Sequence, residues 1–167
     1  YFNNNIRKHN FLSNYKEKYF MDQIEILPAK YEDHNEIHGL LMQLWPDKKV
    51  DKQNTRAIFQ KGLGNKSNKY LIAKNKNAIV GFISLSIKNS MWQEGNIGHV
   101  DELIVDKDFR KMGVGLLLLE SITIIAKDND CKLLELDSAF HRKEAHIFYE
   151  KHGFENRAFL FSKSLSK

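Results

Sequence analysis

The chain has 167 residues, 42% hydrophobic and 28% charged, which fits one globular domain with a real core and excludes a disordered polymer. No uncharged apolar run approaches the length of a membrane-spanning helix. The single cysteine, Cys131, can close neither an intrachain disulfide nor a thiolate metal cage. The first residues lack the apolar core of a signal peptide, so the expected location is cytoplasmic.

The net charge of +5 is unevenly spread. Residues 1–20 carry Arg7, Lys8, Lys16 and Lys18 against Glu17 alone, which leaves the remainder near neutral. Such a balance is not that of a nucleic-acid clamp. A modest positive field still suits a polyphosphate ligand.

Residues 1–20 read as an extension, and Met21 opens a domain over 21–167 with a first strand ending at Pro28. Asp33 predicts an N-cap, with Glu36 as capping-box partner. Ile37, Leu40, Leu41 and Leu44 then share one helical face, and Trp45-Pro46 ends the helix. A second helix is expected from Asp51 to Leu63. Strands follow at Tyr70–Lys74 and Ile79–Ile87, across an Asn75-Lys76-Asn77 turn. A loop from Asn89 to Asn96 leads to a strand over His99–Val105. The segment from Gly113 to about Lys127 reads as a helix buried on more than one side. A short strand at Lys132–Leu136 precedes a helix over Arg142–His152, stopped by Gly153. Strands around Phe154 and Phe159–Ser162 are expected to finish the chain.

The informative stretch is Leu103 to Gly115, where a strand runs into a turn and two glycines open an apolar helix. Glycine lets backbone N–H groups approach a phosphate, and the helix N-terminus adds its dipole. By itself this is a weak signal, because helices often start at glycine with no ligand. A Walker loop needs Gly-Lys-Ser/Thr, which Val114-Gly115-Leu116 does not offer. A Rossmann fingerprint needs a third glycine where Leu118 stands, and too few strands remain to complete its sheet, although Asp137 matches the ribose acid.

Arg110-Lys-Met-Gly113-Val-Gly115 resembles the Arg/Gln-x-x-Gly-x-Gly/Ala motif of the GNAT acyltransferases. Glu102-Leu-Ile-Val and the later Ala145-His-Ile-Phe-Tyr149-Glu-Lys-His-Gly153-Phe154 are similar to that family's flanking strand and last helix. The resemblance implies an α/β (α+β) single-domain fold: a mixed central sheet flanked by helices, with splayed parallel strands at an acetyl-CoA site. It implies that backbone groups of Lys111, Met112, Gly113, Val114 and Gly115, beside Arg110, hold the coenzyme pyrophosphate. It also implies that Leu103, Ile104 and Val105 pair with the pantetheine arm and that Tyr149 is the general acid. Without the motif, Tyr149 reads as a core aromatic beside Ala145 and Phe148. Where many members carry an asparagine, this chain has Arg142.

Acyl transfer to an amine needs the amine neutral, so a carboxylate, a histidine or a relaying water must take its proton. Asp101 and Glu102 are the candidates, and strand alternation predicts that they face opposite ways, with His99 on the face of Asp101. Asp137 ends the next strand near the same cleft. The acidic pair resembles that of diamine acetyltransferases, and Leu44-Trp45 with Asp101 and Asp137 is similar to aminoglycoside 6′-N-acetyltransferases. The expected acceptor is therefore a small polycationic amine, bound by Trp45, Asp101 and Asp137. A protein or peptide amine is the other acceptor considered.

The rival from another class is a module that senses acetyl-CoA without turnover, and the presence of Tyr149 favours the enzyme. His34, His38, His141, His146 and His152 read as surface residues, and no metal is expected. Neither nucleic acid nor membrane is an expected partner; a homodimer is compatible with the reading.

Overall fold

The computed structural model describes residues 21–165, so the extension expected over residues 1–20 lies outside the described residues. Five strands form one sheet in the order β1-β2-β3-β4-β5. They are β1 (Ile24–Pro28), β2 (Asn68–Asn75), β3 (Ala78–Ser90), β4 (Gly95–Val105) and β5 (Cys131–Leu136). The first four pair antiparallel, and β5 joins β4 in parallel. This mixed sheet removes the doubly wound alternative. Four helices flank it: α1 (His34–Leu44), α2 (Lys52–Leu63), α3 (Val114–Asp128) and α4 (Lys143–Lys151). None is long and apolar enough to cross a membrane.

Strand alternation divides the core into two layers. Ile72, Phe82 and Ile104 pack with Ile37, Leu40 and Phe59 beneath α1 and α2. Leu71, Ala73, Ile83, Leu85 and Val100 pack with Val114, Leu118 and Ile122 of α3 on the opposite face. Gly81 allows the close approach of α3, since a Cβ there would stand 2.9 Å from Leu118 Cδ1.

Several expectations are corrected. The residues before Ile24 do not belong to β1. Tyr31–Asp33 form a single 3-10 turn, and the expected capping box is absent from α1. Asp33 Oδ2 instead accepts from Lys30 N at 2.7 Å, and Glu36 Oε2 accepts from Ile79 N at 3.1 Å, tying α1 to β3. The loop expected from Asn89 to Asn96 is the end of a long hairpin, with strand pairing as far as Ser90↔Gly95. His34 is buried at 2% exposure, so it is not a surface histidine. Residues 154–165 form no strand: Phe159 and Phe161 are exposed, and Phe159 meets only the ring of Phe140 at 6.2 Å among the described aromatic contacts.

Candidate active site

The site lies where β4 and β5 part. Their pairing runs from Asn96↔Cys131 to Val100↔Leu136, after which β5 ends and β4 continues to Val105. Among the described residues no strand covers that edge of β4 from Asp101 to Val105, so a wedge opens along it.

The wide end of the wedge is a fixed turn. Asp106 N donates to Val80 O at 2.8 Å, and Asp106 Oδ1 accepts from Asp108 N at 2.9 Å. Gln43 of α1 clasps the turn from outside, donating to Asp106 Oδ2 at 2.9 Å and accepting from Lys107 N at 3.1 Å. Arg110 Nε donates to Val105 O at 3.0 Å, so this side chain holds the turn to the strand it leaves. Lys111 and Gly113 then take positive φ angles of 61° and 85°.

Gly113 caps α3 without a side-chain bond, and no acidic residue stands in the first helical turn. The first helical acceptance at Gly113 O comes from Leu116 N and Leu117 N, at 3.0 and 3.1 Å. The N–H groups of Gly113, Val114 and Gly115 therefore precede the helical ladder and have no intrahelical acceptor. That donor set, at the positive end of a helix dipole, fits a pyrophosphate. Val114 is buried at 1% exposure, its side chain packed into the α3-side core. Lys111 Nζ pairs with Glu144 Oε1 of α4 at 3.3 Å, joining the turn to the last helix.

At the narrow end the strand is irregular. Glu102 pairs with Ser84 but Val100 with Leu85, so Asp101 is an extra residue in β4, a β-bulge. The bulge overturns the expectation that Asp101 and Glu102 face opposite ways. Ser86 Oγ donates to Asp101 Oδ1 at 3.1 Å, whereas buried Ser84 donates to Glu102 Oε2 and accepts from Glu102 N. Ser84 and Ser86 share one face of β3, so both carboxylates lie on the α1/α2 side.

His99 and Asp137 join them there, as expected. His99 Nδ1 lies 3.3 Å from Glu135 Oε1, and Nε2 lies 3.5 Å from Asp137 Oδ2. Lys88 Nζ completes the group at 3.2 Å from Glu135 Oε1. Burial raises the Glu102 carboxyl above its ordinary pKa; the Ser84 bond opposes this and the Asp101 charge adds to it. Asp101 is also raised, first by loss of water, against the bond from Ser86 and the charges of His99 and Lys88. Burial would raise Glu135 too, but Lys88 and His99 outweigh it and hold that carboxyl below its ordinary range.

Tyr149 stands on α4 between Phe148 and Phe154, with ring centroids 5.4 and 5.7 Å away. Burial raises its hydroxyl pKa, and the Arg142 charge opposes the rise. Phe148 meets the start of α3, its Cζ 3.7 Å from where a Cβ on Gly115 would lie. Trp45 follows α1 and has Lys48 Nζ 5.9 Å from its ring. Its neighbour Leu44 accepts a hydrogen bond from Arg142, and among the described residues the indole makes no hydrogen bond to the carboxylates. Glu135, Ser84 and Ser86 escaped the sequence reading. Two serines at alternate positions inside an apolar strand are the signal that could have marked them. Among the described residues, no group of three or more His, Cys, Asp or Glu side chains is arranged to hold a metal ion.

The profile of the Acetyltransferase (GNAT) family matches residues 27–154. An aminoalkylphosphonate N-acetyltransferase of Salmonella typhimurium is 29% identical over 145 residues, covering 87% of this chain and 94% of its own. A glucosamine 6-phosphate N-acetyltransferase of Trypanosoma brucei brucei is 34% identical over 77 residues, 46% of this chain and 50% of its own. Among solved structures, the aminoglycoside N-acetyltransferase AAC(6′)-Iy in complex with CoA superposes with a TM-score of 0.74 at 18% identity, covering 86% of this chain and 95% of the other. That likeness is one of fold. With the turn, the split strands and the family match in agreement, the chain belongs to the GNAT acetyltransferase family and is an N-acetyltransferase.

Proposed function

We propose that this N-acetyltransferase acetylates a small primary amine carrying more than one positive charge, using acetyl-CoA as co-substrate. The observation that carries this reading is the bulge at Asp101, which brings Asp101 and Glu102 to one face, beside His99 and Asp137, at the narrow end of the wedge. Four carboxylates (Asp101, Glu102, Glu135, Asp137) there face His99 and Lys88, an acidic balance that suits an ammonium-rich acceptor. Residues Lys111 to Gly115 would hold the pyrophosphate through their backbone N–H groups, and the open edge of β4 at Leu103–Val105 would hold the arm. Acetyl-CoA supplies the activated acetyl thioester.

The residues divide the proton work. Glu102 or Asp101, each held above its ordinary pKa, is a base closer to neutrality than an exposed carboxylate and can take a proton from the amine. Tyr149, kept protonated by burial, holds the proton that a leaving thiolate needs. Thiol pKa values near ~8.5 and phenol values near ~10 make that transfer a matter of modest tuning.

The relatives named for aminoalkylphosphonate and glucosamine 6-phosphate favour a second reading, an amine that also bears a phosphoryl anion. Thiol release from acetyl-CoA, measured with a polyamine, an aminoglycoside, an aminoalkylphosphonate, an amino sugar phosphate and a peptide amine, separates these. Preference for the polyamine or aminoglycoside, weakened by salt, is expected, because exposed charge attraction is screened over about 8–10 Å. Preference for the phosphoryl amines would reverse the assignment. Acetyl-CoA binding without release on any amine would make the chain a sensor.

A further inference from the structure

Ser84 stands in the middle of β3 at 0% exposure, between the core residues Ile83 and Leu85. A hydroxyl so deep costs stability unless it is paired. Both of its hydrogen bonds go to one residue across the sheet. Its oxygen accepts from Glu102 N at 3.0 Å, and its proton goes to Glu102 Oε2. An ionised carboxylate has no proton to give, so with Glu102 in its base form the serine must be the donor.

Held at its backbone and at its carboxyl by the same hydroxyl, Glu102 is confined to the rotamers that fold Oε2 back toward its own N–H. Only one carboxyl oxygen is taken. Among the described residues no donor reaches Glu102 Oε1, and that atom is not sealed from solvent. Asp101 is held differently: it is exposed, and its partner Ser86 is only half-buried.

We propose that Ser84 is a positioning residue for proton removal from the amine, pinning Glu102 Oε2 so that Oε1 is the atom presented to the acceptor. The proposal rests on the reading of Glu102, rather than Asp101, as the base. In that step an N–H bond of the ammonium breaks, its electron pair stays on nitrogen, and the proton bonds to Oε1. Ser84 keeps its own proton and, being buried, touches neither acceptor nor coenzyme.

Burial raises Glu102, and the Ser84 bond works against it, so losing that bond should carry the acid limb of the rate profile to higher pH. The charges acting on Glu102 are Asp101, which adds to the rise, and His99, which opposes it. Lys88, Glu135 and Asp137 stand beyond His99. Tyr70 pairs with Ser84 from β2, and burial above all keeps its hydroxyl protonated. The side chains that α1 and α2 pack on the neighbouring Phe82 and Ile104 are apolar.

The test uses the best amine of the panel above and measures kcat and KM across pH, with melting temperatures. It compares wild type, Ser84→Ala, Ser84→Cys and Glu102→Gln, and each serine variant combined with Glu102→Gln. Cysteine keeps the shape of serine but is a weak donor, and it serves if the alanine variant does not fold. Loss of the bond should lower kcat about tenfold with KM for acetyl-CoA unchanged, and move the limb to higher pH. In the Glu102→Gln background the serine substitution should cost nothing further. A limb that stays in place would overturn the proposal. So would an equal rate loss with and without the Glu102 carboxylate, which marks a structural role. Glu102→Gln with the rate and limb of wild type would instead remove the reading of Glu102 as base, and this proposal with it.

Discussion

Arg142 donates from its guanidinium to the carbonyl oxygen of Leu44 at 2.8 Å, joining the residue that precedes α4 to the last residue of α1. The bond ties the helix bearing Tyr149 to the helix whose Gln43 clasps the Asp106 turn. The same guanidinium opposes the burial that raises Tyr149. Arg142→Ala is expected to lower kcat/KM about tenfold, the scale of one hydrogen bond from a charged donor. Steady-state kinetics check it, and an unchanged value would make the bond incidental.

Gly113→Val should weaken coenzyme binding at least about tenfold, since it places a branched side chain in a left-handed conformation beside the N–H groups of the turn. A Cβ at Gly113 would also stand 2.8 Å from Met21 Sδ, so the thioether must move. Titration calorimetry reads the affinity, with circular dichroism to show that the variant folds. Retained affinity would reduce the motif to a helix start.

Tyr149→Phe keeps the ring contacts with Phe148 and Phe154 and removes the proton. A fall in kcat of roughly 10²–10⁴ with little change in coenzyme affinity is expected of a general acid. Because the hydroxyl pKa is raised, any alkaline loss of activity due to Tyr149 should lie above the ordinary phenol range of about 10.

The low-pH side of the rate profile is expected to report Asp101 and Glu102. Both are raised by loss of water, so the base form appears only above the ordinary carboxylate range, and kcat/KM should rise with pH through that region. The two interact, so the limb reports the pair. Glu102→Gln and Asp101→Asn should each lower the rate, and whichever removes the limb identifies the base. A profile unaltered in both would assign the proton to a relay.

His34 is expected to give the fold a pH dependence of its own. Burial is the main reason it holds a proton less readily than usual, followed by the Arg56 charge, His38 and Lys52. Its Nδ1 accepts from Arg56 Nε at 3.4 Å, which leaves the Nε2 proton to Thr55 Oγ1 at 3.2 Å. A histidine with a folded pKa below the unfolded value of about 6.5 contributes fully above that value and loses its contribution as pH falls toward the folded pKa. Melting temperature should therefore drop more in wild type than in His34→Gln between about pH 7 and pH 5. Equal slopes would show that the network does not sense protons.

Periodicity alone carried the helices, because Ile37, Leu40 and Leu44 or Val114, Leu118 and Ile122 can share a face in no other regular structure. The turn before α3 was legible because glycine spacing is itself the geometry. Asp33 and Glu36 illustrate the opposite case. Their spacing matched a capping box, yet both carboxylates bond backbone outside α1. His34 stands three residues before Ile37 on the same buried face, so its burial was readable from the pattern. The bulge was the harder feature, since alternation assumes an unbroken ladder. Its trace is that Val100 and Leu103, three apart, reach the same core, which a regular strand forbids.

The extra residue at Asp101 has an evolutionary consequence. His99 pairs with Ser86, Val100 with Leu85 and Glu102 with Ser84, so every rung around Asp101 is made without it. Deleting that one residue would join Val100 to Glu102 in ordinary alternation and leave their facings unchanged. Most positions in β4 answer to the sheet and the core together, but this one answers to neither. Selection for a new acceptor can therefore exchange or discard the carboxylate there at little cost to folding, whereas an insertion or deletion on either side would turn core side chains outward.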